Sequence, residues 1–215
     1  MSQPANQTAS PIIVALVLGW LGIVVSGFWW FQYKDLNSFA TKSSVVFFQG
    51  DRFSEQLTIL AGHYRDTKKT TVVHFWDTDC GCNRFNEQHV NSLIKKYGSK
   101  NIQFLIVAKI SDRAKEKTII ANAKSKFKHS AVIDVIPEYK FKLESMPSTP
   151  SVAVLNKEQK LTYFGPYSIG TVCNIKNGAF VEKTLNNLLA GSSKKQINVL
   201  ATGCFCEWND RSQTI

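Results

Sequence analysis

Charge is missing from the first 33 residues of this 215-residue chain. Within that stretch, Pro11 to Phe31 is a continuous uncharged run dominated by aliphatic side chains. A helix of that length, rising about 1.5 Å per residue, crosses the roughly 30 Å hydrocarbon core of a bilayer. A cleaved signal peptide, with a weak site at Ser38-Phe39-Ala40, is the competing interpretation. No basic residue precedes the run and the run exceeds a signal h-region, so the sequence predicts a retained anchor.

The orientation of this anchor receives two opposing indications. Lys34 and Lys42 follow the apolar run and none precede it, which favours a cytoplasmic domain. The chain also contains two Cys-X-Cys pairs, and disulfides persist mainly outside the cytosol. We therefore predict a single-pass membrane protein whose domain lies on the extracytoplasmic, periplasmic side.

Several functional motifs are also missing from the sequence. There is no Gly-rich phosphate loop and no Ser-His-Asp pattern, so neither nucleotide chemistry nor a hydrolase triad is indicated. Lys and Arg exceed Asp and Glu by 26 to 16, a net charge of +10, but no nucleic-acid-binding motif accompanies the excess. Seven basic residues fall between Lys109 and Lys128, which we interpret as a solvated helix face; attraction to anionic lipid is the alternative.

The remaining pattern predicts one α/β domain between short terminal segments. Residues 1–33 are the N-terminal tail and anchor, 34–44 a linker, 45–190 the domain, and 191–215 a C-terminal tail. Short β-branched and aromatic runs predict strands at Val45–Phe48, Thr71–Trp76, Ile102–Val107, Ser151–Leu155 and Leu161–Phe164. Helical spacing of apolar residues predicts helices near 53–64, 80–97, 112–127 and 181–189, with Gly98 closing the second. This alternation requires parallel strands with right-handed crossovers and a late hairpin, hence a central mixed sheet flanked by helices.

Cys80 and Cys82 carry the clearest chemical signal. Cys80 ends a predicted strand where a helix begins, and the partial positive charge of helix N–H groups favours the reactive thiolate. Asp77 and Asp79 oppose that ionisation by repulsion. Gly81 permits the tight turn that a bridge between Cys80 and Cys82 needs. At such a corner we expect an exposed, labile disulfide.

The other three cysteines are less informative. Cys204 and Cys206 form a second Cys-X-Cys pair in the C-terminal tail. Three roles stay open for them: a resolving pair that exchanges with Cys80 and Cys82, a structural bridge, or half of a metal site. Cys173 is expected to be a packed apolar residue.

The strand before Cys80, the cysteine pair that opens a helix, and Thr149-Pro150 before a strand together resemble the thioredoxin superfamily. The segment from His129 to Leu155 is similar to membrane-tethered extracytoplasmic thiol reductases related to cytochrome c maturation. This resemblance covers roughly residues 45–190. It implies a thioredoxin-like fold, a cis bond at Pro150, and a substrate peptide aligned by Thr149 and Pro150 beside the sulfurs.

The sequence departs from the family at its motif. The family has Cys-X-X-Cys, usually after Trp and containing Pro, whereas here one residue is missing and Asp79 stands where Trp is usual. Despite this difference, the resemblance implies a thiol–disulfide oxidoreductase that needs no cofactor. Cys80 would attack the substrate disulfide, and Cys82 would resolve the mixed disulfide. Its partners would be protein thiols and disulfides of the cell envelope.

Two other functions remain open at this stage. The four thiols of the two Cys-X-Cys pairs suit Cu(I) or Zn, with His74, His89 and His129 as further ligand candidates. A thioredoxin-like copper-delivery group exists, but its wider cysteine spacing does not match this chain. The second alternative is a binding module without turnover, because a fold does not determine a function.

Overall fold

The computed structural model describes residues 10–33, 36–40, 51–62, 69–140, 146–168 and 179–208. The chain divides into two compact units, Met1–Asp35 and Leu36–Ile215. The predicted strand Val45–Phe48 and the cysteine Cys173 lie outside the described residues.

The first unit contains one helix, α1 (Pro11–Tyr33), of 23 residues. Its Pro11–Trp30 portion has a mean hydropathy of 2.4, and none of it is buried. Among the described residues this is the helix with the length and composition of a membrane span. It agrees with the predicted anchor and is a candidate span.

The second unit is built on a mixed sheet of six strands. They are β2 (Thr70–Trp76), β3 (Ile102–Ala108), β4 (Val132–Pro137), β6 (Ser151–Leu155), β7 (Leu161–Gly165) and β8 (Gln196–Ile197). Their order is β4-β3-β2-β6-β7-β8. The first three are parallel to one another, β6 and β7 are antiparallel neighbours in a hairpin, and β8 runs parallel to β7. The expected thioredoxin-like fold with a central mixed sheet is confirmed.

The central position of β2 explains its composition. All seven of its residues are buried, because β3 and β6 pair with its two edges and both of its faces are covered. Successive side chains of a strand point to opposite faces, so Val72 and Trp76 enter one core cluster while Val73 and Phe75 enter the other. The segment Val132–Ile136, expected only as a short apolar stretch, pairs with β3 as a full strand.

The helices divide unequally between the two faces of the sheet. The first face packs against α3 (Gly81–Tyr97), α4 (Glu116–Lys126) and α5 (Phe180–Leu189). Since β2, β3 and β4 step in one direction, right-handed crossovers put α3 and α4 on the same side. The second face receives only α2 (Asp51–Gly62) among the described helices.

The C-terminal segment, residues 196–208, completes the second face. A tail beyond the domain is expected here from the sequence, whereas Val199, Ala201, Phe205 and Trp208 are buried in the second core cluster. Within this segment β9 (Thr202–Cys204) pairs with β1 (Leu36–Ser38), and β10 (Cys206–Glu207) pairs with β5 (Ser148–Thr149).

Gly98 follows α3 for a reason other than the one expected. It has φ −59° and ψ −26°, which is right-handed, so it is not the left-handed C′ glycine predicted. The left-handed residue nearby is Asn101, with φ 62°. A Cβ on Gly98 would lie 2.5 Å from the Cβ of Ala131 and 2.6 Å from the carbonyl oxygen of Ile94. Close approach of the neighbouring chain therefore requires the glycine.

The basic residues between Lys109 and Lys128 lie among acidic partners. Four of them form ion pairs: Lys109 with Asp77 at 3.2 Å, Lys115 with Asp112 at 3.6 Å, Lys124 with Asp134 at 3.7 Å and Lys126 with Glu87 at 2.6 Å. Most of these side chains remain partly solvated, which supports the interpretation as a solvated helix face.

Candidate functional site

Cys80 lies at the junction between β2 and α3. The turn before it is organised by Asp77, whose Oδ1 accepts a hydrogen bond from the backbone N–H of Asp79 at 2.9 Å. The carbonyl of Asp77 accepts one from Asn83 Nδ2 at 2.7 Å. Cys80 is the N-cap of α3 and has an extended backbone, with φ −83° and ψ 112°. It therefore stands at the helix end whose N–H groups carry partial positive charge.

Two disulfides connect this junction to the C-terminal segment. Cys80 Sγ is bonded to Cys206 Sγ at 2.05 Å, and Cys82 Sγ to Cys204 Sγ at 2.04 Å. The expected bridge between Cys80 and Cys82 is therefore wrong. Residues two apart do not face each other at a helix start, whereas residues two apart in a strand project to the same side. For that reason Cys204 and Cys206 can meet the two helix cysteines together.

The burial of the four cysteines also differs from expectation. Cys80 is 3% exposed and Cys82 is 8% exposed, although the sequence analysis expected an exposed pair. Cys204 and Cys206 are half-buried. The C-terminal segment covers the helix cysteines through the bonds it forms with them. Solvent therefore meets the two disulfides mainly from the side of Cys204 and Cys206.

The predicted substrate-binding residues lie beside the sulfurs. The Thr149–Pro150 peptide bond is cis, as the resemblance implies, and the carbonyl oxygen of Thr149 is 3.8 Å from Cys80 Sγ. The Thr149 hydroxyl accepts a hydrogen bond from Asn83 Nδ2 at 3.1 Å and donates one to the carbonyl of Phe75 at 3.1 Å. The loop is thus fixed to both β2 and α3, immediately next to Cys80.

The edge that the resemblance assigns to a substrate peptide is occupied by this chain itself. β10 runs antiparallel to β5, with Cys206 opposite Thr149 and Glu207 opposite Ser148. An extended segment therefore lies along the cis-proline loop while its cysteine is bonded to Cys80. Of the predicted site residues, Cys80, Cys82, Thr149, Cys204 and Cys206 all meet here.

Noncovalent contacts also hold the C-terminal segment. The backbone N–H of Phe39 donates to the carbonyl of Ala201 at 2.8 Å, and Asn37 Nδ2 donates to the carbonyl of Phe205 at 3.1 Å. The ring of Phe205 packs edge-on against that of Phe39, with centroids 5.2 Å apart. On the other side of the cysteines, the ring of Trp208 packs edge-on against Phe75 at 5.8 Å.

The charge nearest the junction is compensated. Asp77 is 4% exposed, and its Oδ2 lies 3.2 Å from Lys109 Nζ. Asp79 Oδ2 accepts a hydrogen bond from the Ser111 hydroxyl at 2.5 Å. The repulsion of a Cys80 thiolate that was expected from Asp77 is therefore offset by the neighbouring ammonium group.

The three histidines considered as ligands lie in other environments. Burial lowers the pKa of His74 to about 3, and its Nδ1 is 2.8 Å from the hydroxyl of Tyr167. Burial also lowers the pKa of His89, whose ring packs against Tyr167. His129 Nδ1 accepts a hydrogen bond from the backbone N–H of Ala131 at 3.1 Å. Within the described residues, the metal-competent group at the junction contains cysteines and no histidine.

Sequence reasoning missed several residues of the site. It did not identify Asn83, which bonds both the turn and the cis-proline loop, or the ion pair between Lys109 and Asp77. It also missed the burial of Phe205 and Trp208. The alternation Cys204-Phe205-Cys206 was an available signal, since in a strand it puts both cysteines on one side and the aromatic ring on the other.

Comparisons with known proteins agree with this fold. The family described as "Domain of unknown function (DUF6436)" matches residues 49–208, a range that includes the C-terminal segment. None of the curated proteins matches the chain.

Solved structures are similar in fold at low sequence identity. A hypothetical protein from Sinorhizobium meliloti 1021 has a TM-score of 0.54 at 14% identity, over 69% of this chain and 82% of that one. An uncharacterized conserved protein from Geobacillus kaustophilus has a TM-score of 0.52 at 12% identity, over 68% and 80%. The thioredoxin domain of a thiol-disulfide oxidoreductase from Bacteroides vulgatus has a TM-score of 0.35 at 18% identity, over 44% of this chain and 68% of that one. The sheet order and the cis Thr149–Pro150 bond beside Cys80 are those of a thioredoxin-like fold.

Proposed function

Since the chain belongs to the DUF6436 family, whose description assigns no activity, we propose a function from its own geometry: a thiol–disulfide oxidoreductase with a redox centre of four cysteines. One observation carries the proposal. Cys206 is bonded to Cys80 while the strand containing Cys206 lies along Ser148–Thr149. An enzyme and a peptide substrate take this arrangement when they are joined as a mixed disulfide, the intermediate of thiol–disulfide exchange.

Burial determines where exchange begins. Cys80 and Cys82 are buried, whereas Cys204 and Cys206 are half-buried, so an incoming thiolate reaches the C-terminal sulfurs first. Attack on Cys206 forms a bond from the reductant to Cys206 and releases Cys80 as a thiolate. The N-terminus of α3 stabilises that leaving thiolate, and a better leaving group accelerates exchange.

The remaining steps balance with a dithiol as the reductant. The second thiolate of the dithiol attacks the dithiol sulfur that is bonded to Cys206. The dithiol then leaves as a cyclic disulfide, and Cys206 is released as a thiolate. Each dithiol oxidised thus delivers two electrons and two protons to one pair. The reverse sequence transfers them to the disulfide of a protein substrate.

The second disulfide lies within reach of the first. The Sγ atoms of Cys80, Cys82 and Cys206 all lie within 4.8 Å of one another. A Cys80 thiolate can therefore attack Cys82 Sγ, which forms a transient Cys80–Cys82 bond, breaks the bond between Cys82 and Cys204, and releases Cys204 as a thiolate. The four cysteines would act as one relay, and the resolution by Cys82 of a mixed disulfide on Cys80 stays a prediction.

The helix and the disulfides both support a proposed location. We propose that α1 (Pro11–Tyr33) anchors the protein and that the four cysteines face an oxidising, extracytoplasmic compartment. Two disulfides support that side of the membrane, because reducing systems keep cytosolic thiols free. The substrates would be thiols and disulfides of envelope proteins.

The test is disulfide exchange by the full-length protein in detergent micelles. We expect it to accelerate the reduction of a protein disulfide by a dithiol, in the presence of a metal chelator. Cys80→Ser should reduce the rate to the uncatalysed level, because it removes the thiolate that exchange releases at the N-cap of α3. Cys173→Ser is the matched control and should retain the rate. A Cys80→Ser rate equal to that of the wild type would reject the proposal.

The site of entry can be tested separately with a monothiol. Glutathione added to the oxidised protein, followed by acid quench and peptide mass mapping, should be found on Cys204 or Cys206. Glutathione found mainly on Cys80 or Cys82 would contradict entry from the C-terminal side.

A further inference from the structure

The four cysteine sulfurs, once reduced, would lie close enough together to act as the ligands of one metal ion. Cys80, Cys82 and Cys206 already hold their Sγ atoms within 4.8 Å of one another, and Cys204 Sγ is bonded to Cys82 Sγ at 2.04 Å. Four thiolates around Zn²⁺, at a Zn–S distance of about 2.3 Å, lie roughly 3.8 Å apart. Reduction separates the bonded sulfurs towards that spacing, and rotation of the Cys204 side chain would bring the fourth sulfur to the other three.

The C-terminal segment is held by contacts other than its two disulfides. Its aromatic anchors Phe205 and Trp208 are 5% and 6% exposed and pack against Phe39 and Phe75. Pairing of β9 with β1 and of β10 with β5 adds backbone hydrogen bonds on both sides of the cysteines. None of these contacts depends on a sulfur–sulfur bond, so the reduced thiols stay together.

The donor set selects the class of ion. Within the described residues the cluster offers sulfur only, and an all-thiolate tetrahedral set is typical of Zn²⁺. The carboxylate of Asp77 is engaged by Lys109, and the N-terminus of α3 favours thiolates over thiols. Two buried and two half-buried ligands also describe a closed site, the kind that structural zinc occupies.

We infer that the reduced protein binds one Zn²⁺ through Cys80, Cys82, Cys204 and Cys206, and that oxidation releases the ion. Reducing both disulfides consumes four electrons and four protons from two dithiol molecules. Binding Zn²⁺ then releases the thiol protons, and transfer of the electrons to disulfide oxidants restores the two bridges and expels the ion. The inference rests on the proposed function only in requiring that the four cysteines can be reduced.

The experiment is an anaerobic Zn²⁺ titration of the full-length protein in micelles. Protein reduced with a phosphine should retain one Zn²⁺ per chain after gel filtration, and oxidised protein should retain none. Replacing Zn²⁺ by Co²⁺ should give the thiolate charge-transfer absorption of a four-sulfur site. Binding in the oxidised state, or no binding in the reduced state, would overturn the inference.

Variants separate these ligands from other thiols. Cys82→Ser and Cys204→Ser should each weaken Zn²⁺ binding by roughly 100-fold, because each removes one of four ligands. Cys173→Ser should bind like the wild type. Far-ultraviolet circular dichroism of each variant in the reduced, metal-free state establishes that it is folded. Folded variants with wild-type affinity would reject the site.

The exchange assay contains a chelator and the titration contains no disulfide substrate. Loss of Zn²⁺ binding with exchange intact therefore removes only the zinc site. Loss of exchange with Zn²⁺ binding intact removes only the proposed activity.

Discussion

The two faces of the central sheet are closed in different ways. Three helices cover the first face: α3 lies between β2 and β3 in the chain, α4 between β3 and β4, and α5 between β7 and β8. The second face has α2, and is otherwise completed by residues 36–40 and 196–208, which are far apart in sequence. The disulfides join Cys80 and Cys82, at the start of a first-face helix, to Cys204 and Cys206 in the second-face cover. The two disulfides thus lie where a helix of the first face meets the C-terminal segment that completes the second face.

Reduction of both disulfides is expected to have the largest effect. They close loops with sequence separations of 126 and 122, and cross-links of that span stabilise mainly by restricting the unfolded chain. We expect the free energy of unfolding to fall by about 4 kcal/mol, the nested second loop adding little. Urea unfolding of oxidised and reduced protein, both metal-free, measures the difference. Hydrogen exchange should find β9 and β10 still protected after reduction, and their complete loss of protection would contradict a docked C-terminal segment.

The second largest effect is expected from removing the indole ring of Trp208. Trp208→Ala should lower the free energy of unfolding by about 3 kcal/mol or more, since a buried ring packed on Phe75 leaves a cavity. Phe85→Ala is the matched control, because Phe85 is 68% exposed on α3 and its loss should cost less than about 0.5 kcal/mol. Equal effects in urea unfolding would mean that the C-terminal segment does not complete the second core.

Acid pH should lower the free energy of unfolding, because His74 is buried in the first face of the sheet. Burial holds the pKa of His74 near 3, whereas the unfolded chain binds a proton near 6.5. Stability is therefore complete above about pH 7 and falls as the pH drops between those two values, by about 2 kcal/mol at pH 5. Urea unfolding from pH 7 to 5 measures this slope.

His74→Gln should flatten that slope, because glutamine does not titrate. Burial lowers the pKa of His89 too, so His89 contributes to the slope that remains in His74→Gln, and the double variant should flatten it further. If the free energy of unfolding of His74→Gln depends on pH as steeply as that of the wild type, the prediction for His74 is wrong.

Sequence patterns predicted the first face of the sheet better than the second face, which segments distant in sequence complete. The β-branched run at Thr71–Trp76 and the apolar spacing in α3 report burial directly, so both elements were located within a few residues. Cys80, Thr149 and Pro150 were also identified, because strand ends and a Thr-Pro pair are local features.

The pairing of the cysteines could not be predicted in the same way. Four cysteines allow three connectivities; Gly81 favoured a local bridge between Cys80 and Cys82, and the partner of Cys204 and Cys206 stayed open. The outcome depends on Phe205 and Trp208 docking against a sheet face that forms from distant segments. Pairing across more than 100 residues is decided by the packed fold, and no local periodicity carries it.

The sequence separation of these bridges also has a consequence for synthesis. Cys80 and Cys82 precede their partners by 126 and 122 positions. At a translation rate of about 5–20 residues per second, the partner cysteines arrive roughly ten seconds later. An oxidant that acts on the nascent chain therefore meets Cys80 and Cys82 first, with each other as the nearest thiols. To reach the native bridges, these two cysteines must stay reduced through that interval or be reshuffled by an isomerase afterwards.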